Sequence, residues 1–338
     1  MIRVGRFIST RIVPSFRPSS LRHFSCSTVT MSPEPSFFGP IHWVLDWDGT
    51  LTTRDTLDAL VNIAAKCKPN SSVGEEWKRV SQAYIADYES TIKTHVPEGK
   101  LPLTVSGEKA LLTLLEEVEQ RSIDRVSDSG IFEGLTTADL DNGAAEAIAS
   151  GHIQLRVGCD DFLQLVESRL QQEDGDADAI SILSVNWSQR FILACLRATH
   201  ENLGDMLSNS IYANELDGIQ QGGIPATGRI CADKSSRIIS SRNKLARLEL
   251  LSRSTLRKGK PIPIVYVGDS WTDFDSIVAA DLGVCIRDNP MTSTQKKLAD
   301  SLDRVAVPCP RLRTTNGSAG VAWAEDFCEL REWMQRTR

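Results

Sequence analysis

The chain has 338 residues, of which 41% are apolar, enough for two domains or one large domain with an insertion. Its formal net charge of −6 is unevenly placed: residues 1–31 hold five arginines (Arg3, Arg6, Arg11, Arg17, Arg22) and no acid, which leaves 33 basic against 44 acidic residues, a net of −11, for the remainder. An acidic body argues against nucleic acid as a partner, and with no run of about 18 apolar residues a membrane-spanning helix is not expected.

The Arg- and Ser-rich, acid-free head has the composition of a mitochondrial transit peptide. The stretch Arg22-His-Phe-Ser-Cys-Ser-Thr-Val-Thr-Met31 is similar to the two-step cleavage pattern of matrix precursors, and Met31 offers a second start that would give a cytosolic form. The eight cysteines are scattered, with no CxxC pair. That is no disulfide framework, and it suits a reducing compartment.

The first clear element is the apolar run Ile41-His-Trp-Val-Leu-Asp46-Trp-Asp48-Gly-Thr50, which predicts a buried parallel strand ending in two aspartates. Apolar residues at helical spacing follow from Leu57, then around Trp77–Glu89, around Glu108–Gln120, and over Ala138–Ser150 with Thr137 as N-cap. No strand pattern occurs between about 55 and 152. Past that block the chain reads as a turn into a helix around 153–172, a buried strand Ala-Ile-Ser-Ile-Leu-Ser184-Val, and a helix from Trp187. A strand-like Ser-Ile-Tyr-Ala-Asn-Glu-Leu216, a helix near Asn243–Leu251, the buried strand Ile-Pro-Ile-Val-Tyr-Val-Gly-Asp269, a helix through Ala280 and a short strand Gly-Val-Cys-Ile-Arg287 complete the core. The stretch from Trp323 to Arg336 reads as one amphipathic helix.

Alternating strands and helices predict a doubly wound, Rossmann-like parallel sheet, with its site at the carboxyl ends of the strands. The expected division is a head at 1–31, an α/β core at 32–54 and 153–338, and an all-helical cap at 55–152. Three strand ends then converge: Asp46 and Asp48 from the first, Ser184 from the second, Asp269 and Asp273 from the third. So much negative charge requires compensation. An oxygen-ligated hard cation such as Mg2+ supplies it. A lysine near the anionic substrate completes the balance, Lys244 being best placed and Lys234 next.

In order and spacing, Asp46-Trp-Asp48-Gly-Thr50, Ile182-Leu-Ser184, Lys244 and Gly268-Asp269-Ser-Trp-Thr-Asp273 resemble the four motifs of the haloacid-dehalogenase-like (HAD) superfamily. The resemblance implies that Asp46 is the nucleophile, forming an aspartyl-phosphate, and that Asp48 is the general acid and base. It implies Ser184 and Lys244 on the phosphoryl oxygens. The ion would lie on the Asp46 carboxylate, the Asp48 carbonyl and Asp269, with Asp273 in support. A carboxylate at 48 points to a phosphomonoester hydrolase; a phosphotransfer mutase and a binding protein without turnover are the alternatives.

The helical insertion after the first motif resembles the cap of the subclass that includes phosphoserine phosphatases and pyrimidine nucleotidases. Tyr84-Ile-Ala-Asp-Tyr88-Glu89 and the segments from Leu183-Ser-Val-Asn-Trp187 to Val284 are also similar to the phosphatase domain of plant thiamine monophosphate phosphatases, though the residues between and after the two aspartates differ. The substrate implied is a small phosphorylated metabolite, with thiamine monophosphate, a nucleotide or a phosphoserine-like compound as candidates. Tyr84 and Tyr88, four apart on one helical face, offer an aromatic wall to a leaving group. Trp187 is within reach of the same pocket, whereas Trp47 is expected to pack behind it.

Overall fold

The computed structural model describes residues 37–172, 177–219, 223–231, 233–257, 259–315 and 320–337; the expected transit peptide and the alternative start at Met31 lie outside the described residues. Six strands, β1 (His42–Leu45), β2 (Ala179–Leu183), β3 (Ile211–Tyr212), β6 (Ile264–Gly268), β7 (Leu282–Ile286) and β8 (Val321–Ala324), form one parallel sheet in the order β3-β2-β1-β6-β7-β8. A separate hairpin, β4 (Leu256–Arg257) with β5 (Lys260–Pro261), lies outside it.

The central strands are mainly apolar because both faces are covered. Alternate side chains divide between two cores. Trp43, Leu45, Val265, Val267 and Val284 face α5 (Cys159–Leu170), α6 (Gln189–Thr199) and α11 (Phe327–Arg336). Val44, Tyr266 and Cys285 face α8 (Ser241–Ser254), α9 (Phe274–Ala279) and α10 (Ser293–Arg304). A further short helix, α7 (Glu201–Leu207), links α6 to β3.

Between β1 and α5 lies the helical insertion: α1 (Leu57–Cys67), α2 (Val73–His95), α3 (Val105–Asp128) and α4 (Thr137–Ala149). No strand forms there among the described residues, only isolated bridges of Thr52 with Leu155 and of Glu133 with Thr227. The cap's apolar faces are continuous with both cores: Leu60, Val80 and Val126 join the first, Tyr84, Leu111 and Val118 the second.

The structure corrects several boundaries. α2 and α3 run beyond the expected segments at both ends, and the added turns still bury apolar side chains, Val73 in α2 and Ile123 and Val126 in α3. The N-cap of α4 is Thr136, not Thr137, because Asp139 completes a capping box with it. Trp323 and Ala324, expected in the last helix, belong to β8; Asp326 caps α11, which starts at Phe327. The strand expected from Ser210 to Leu216 is only two residues long, since Asn214 turns the chain by spending its side chain on the carbonyls of Val185, Asn186 and Ile238.

Candidate active site

Register places the site. Leu45 pairs with Ile182 on one side and Val267 on the other, so the residues just beyond these three strands leave the sheet at one level. Asp46 leaves β1 in extended conformation, and its amide donates to Val267 O at 2.9 Å. Gly49 then reverses the chain at φ 75°, where a Cβ would lie 2.5 Å from Asp269 Oδ2, so only glycine allows this approach. Arg156, 5% exposed, braces the turn: its Nε donates to Thr50 O at 3.0 Å and its Nη2 to Gly49 O at 2.6 Å.

Lys244 is fully buried near the amino end of α8, where its Nζ lies 2.8 Å from Asp46 Oδ1 and 2.6 Å from Asp273 Oδ1. Asp273 is further held by the Tyr266 hydroxyl at 2.6 Å and, on Oδ2, by the amides of Asp269 and Ser270. Asp269 has weaker partners, the hydroxyls of Thr50 at 3.5 Å and Thr294 at 3.4 Å. Carboxylate oxygens of Asp46, Asp269 and Asp273 all lie within 4.8 Å of one another.

Asp48 faces the same cavity of about 530 Å3. Its Oδ1 accepts from the Thr56 amide at 2.7 Å and the Thr56 hydroxyl at 2.6 Å, and its Oδ2 accepts from Asn186 Nδ2 at 2.8 Å. These donors were not singled out in the sequence. Thr56 and Asn186 carry no local pattern, and the one available signal was their position just after two strands expected to converge.

Ser184 is buried at the end of β2, and its Oγ accepts from the Asn186 amide at 3.1 Å; Val185 and Asn186 form the cavity wall there. Lys234 is exposed and paired with Asp124 of α3 at 2.8 Å, away from the carboxylates. Trp47 is fully buried, donating to Thr56 Oγ1 at 3.2 Å. Trp187 packs edge-on against Trp77 and Phe132 and does not line the carboxylate cavity. Tyr84 and Tyr88 line a neighbouring cavity between cap and core.

Electrostatics follow from burial. Desolvation pushes Asp46 up to about 8, with the Asp273 charge adding to it and Lys244 opposing. Asp269 is raised well above the carboxylate range by burial, then by Asp273 and Asp46. Burial acts to lower Lys244, but Asp273 and Asp46 outweigh it and hold the ammonium charged. Asp48 rises to about 6 through burial and then Asp55, against the donors Thr56 and Asn186. Three buried carboxylates against one ammonium leave a deficit of positive charge, and the all-oxygen donor set fits a hard divalent cation.

The parallel sheet, the helical insertion after β1 and the site at the sheet's carboxyl edge are the arrangement that the resemblance to haloacid-dehalogenase-like proteins implies. No family model matches the chain. It is 29% identical to a CTO1 family protein of Schizosaccharomyces pombe, over 73% of this chain and 82% of that one. It is 22% identical to Cold tolerance protein 1 of Saccharomyces cerevisiae, over 85% and 90%. With the mitochondrial bifunctional TH2 protein of Arabidopsis thaliana it shares 25% identity over 71% of this chain but only 38% of that protein. Two solved structures of phosphoserine phosphatase, one a phospho-aspartyl intermediate analogue and one substrate-bound, align at 16% identity with TM-scores of 0.45 and 0.46, covering 88% and 87% of this chain and 98% of each of theirs.

Proposed function

We propose that the chain is a Mg2+-dependent phosphomonoester hydrolase acting on a small phosphorylated metabolite through an aspartyl-phosphate. The observation that carries this reading is the pairing of Asp46 and Asp48 in different environments at one cavity. Asp46 has Oδ1 fixed by Lys244, and its Oδ2 accepts no hydrogen bond among the described residues, which suits a nucleophile aimed at phosphorus. Asp48 is held by three donors and raised to about 6, a value at which it can give a proton to a leaving oxygen and take one from water near neutrality.

The Asp46 and Asp269 carboxylates and the Asp48 carbonyl would hold the cation, which when bound neutralises charge on the phosphoryl oxygens. Lys244 orients Asp46 and adds positive charge beside the incoming phosphate, and Asp273 fixes Lys244. Ser184, at the end of β2, is the hydroxyl assigned to the phosphoryl group. The cap covers the cavity and limits water during the first step. Residues 55–152 serve as the cap domain and residues 1–31 as the transit peptide, giving a protein of the mitochondrial matrix. The substrate panel is thiamine monophosphate, pyridoxal phosphate, phosphoserine and pyrimidine nucleotides.

The test is phosphate release from that panel with Mg2+, comparing the chain from residue 32 with its Asp46→Asn variant. Turnover lost on chelation and in Asp46→Asn is the expected result. Turnover retained by Asp46→Asn would overturn the assignment of the nucleophile, and isomerised substrate without phosphate release would replace hydrolysis with a mutase reaction.

A further inference from the structure

Beside the carboxylate cavity lies a second one of about 210 Å3, between cap and core, with Thr272, Ser293 and Thr294 common to both walls. The two cavities adjoin along these three residues. Tyr84 and Tyr88 of α2 form one side, their ring centroids 6.3 Å apart and planes tilted by 34°. Trp271 forms the opposite side, fixed by its Nε1 donating to Glu108 at 2.7 Å. Leu112, Leu115 and Ile239 add aliphatic surface among polar neighbours, and the three aromatic side chains suit a flat ring.

Two features of this cavity favour negative charge. Lys297 of α10 runs along the surface, but its ammonium is tucked between rings, 4.5 Å from the Tyr88 centroid and 4.6 Å from that of Trp271. It donates to the Tyr88 hydroxyl and forms no ion pair among the described residues, so two of its three donors are unspent. Desolvation against the rings draws Lys297 down to about 8, outweighing the charges of Glu119 and Glu108, so the ammonium gains from an arriving anion. The second feature is the amino end of α10, a twelve-residue helix whose first residues, Ser293 and Thr294, stand in the shared wall with their amides free of hydrogen bonds among the described residues.

The acids of the same wall are already engaged. Glu116 pairs with Arg242 at 2.6 Å and accepts from Ser240 at 2.8 Å. Glu119 accepts from the Tyr84 hydroxyl at 2.8 Å, and burial raises it towards the neutral form.

We propose that this cavity is the leaving-group subsite, taking an aromatic leaving group that carries an anionic substituent held between Lys297 and the amino end of α10. The proposal rests on the phosphatase reading and adds the substrate class to it. Lys297 thereby sets specificity from the core side of the cap.

The experiment compares 4-carboxyphenyl phosphate with its neutral isostere 4-carbamoylphenyl phosphate and with 4-(trimethylammonio)phenyl phosphate, in the wild type, Lys297→Met and Lys297→Arg. One charge-assisted hydrogen bond predicts that the wild type favours the carboxylate over the carboxamide by roughly tenfold to a hundredfold in kcat/KM. The preference should lie in KM, vanish in Lys297→Met and largely survive in Lys297→Arg. A wild type that handles the carboxamide or the ammonium compound at least as well, or a preference untouched by Lys297→Met, overturns the proposal. If no aryl phosphate is hydrolysed, the phosphatase reading is decided separately by the metabolite panel. The subsite is then judged by calorimetric titration of wild type and Lys297→Met with 4-carboxybenzylphosphonate and 4-carbamoylbenzylphosphonate. The same ratio in Kd sustains the subsite, and equal Kd values refute it.

Discussion

Asn186 Nδ2 donates to Asp48 Oδ2 at 2.8 Å, joining the loop after β2 to the loop after β1. This contact stabilises the charged form of Asp48, against the burial that raises the group to about 6. An acid that must be protonated loses activity as pH rises through its pKa. Asn186→Ala should raise that pKa and move the descending limb of the rate profile to higher pH. It should also lower kcat by roughly tenfold to a hundredfold, since the acid is no longer aimed. Profiles of kcat/KM against pH for both proteins decide the matter; coincident limbs would show that Asn186 does not tune Asp48.

Lys244 carries a different burden. It is the ammonium that touches both Asp46 and Asp273, and all three groups are buried. Lys244→Met keeps most of the length of the side chain and removes the charge, leaving the Asp46 and Asp273 carboxylates without their counter-charge. Breaking a buried pair in this way costs about 3–5 kcal/mol. Because a divalent cation bound to Asp46 and Asp269 would restore part of the missing positive charge, the loss should shrink when Mg2+ is added. Urea unfolding with and without Mg2+ measures both numbers. A loss below about 1 kcal/mol in the absence of the ion would mean that Asp46 simply takes up a proton instead.

How much of this was legible in the sequence depends on the kind of signal each part leaves. β1, β2 and β6 are buried on both faces, so they stand out as apolar runs interrupted only by His42 and Ser181, and the residues that end them show where the chain leaves the sheet. Gly49 stood in the sequence only as a member of the first motif, and the fold supplies its reason, a φ of 75°. β8 was not, since its four residues run straight into the polar cap of α11 and share that helix's composition. Arg156 and Asn186 were equally hidden. Their partners lie 106 and 138 positions away in the chain, at Thr50 and Asp48, and nothing periodic marks an arginine that braces a turn or an amide that meets an acid. Lys297 has the spacing of any surface lysine, and only the fold brings Tyr88 and Trp271 to its ammonium.

Gly49→Ala tests the tight turn. The new Cβ would stand 2.5 Å from Asp269 Oδ2 in a left-handed conformation that alanine adopts at a cost of about 1–2 kcal/mol. Among the described residues the Asp269 carboxylate has two long hydroxyl contacts, so it is the partner that yields. The variant should therefore fold with a lower Tm, and its Tm should rise less with added Mg2+ than that of the wild type, the displaced carboxylate no longer binding the ion well. Thermal melts across a Mg2+ titration give both quantities. An unchanged Mg2+ response would remove Asp269 from the cation site.

His42 gives a pH dependence that is independent of catalysis. It opens β1 at the end of the strand opposite Asp46, 2% exposed, with Nε2 2.9 Å from Ser181 Oγ and no hydrogen-bond partner for Nδ1 among the described residues. Burial, followed by the charge of Arg257, lowers its pKa from 6.5 to about 4. The unfolded chain therefore takes up a proton that the folded chain refuses. The histidine's contribution is fully present above 6.5 and is lost as pH falls from 6.5 towards 4, amounting to up to about 3 kcal/mol. His42→Gln keeps a group able to bond Ser181 but cannot titrate. Its stability should fall less steeply than that of the wild type across this window, while above it the two curves run parallel. Urea unfolding in steps of pH shows the difference directly, and parallel curves throughout would mean that His42 is protonated in the folded protein, with Arg257 moving aside to admit the charge.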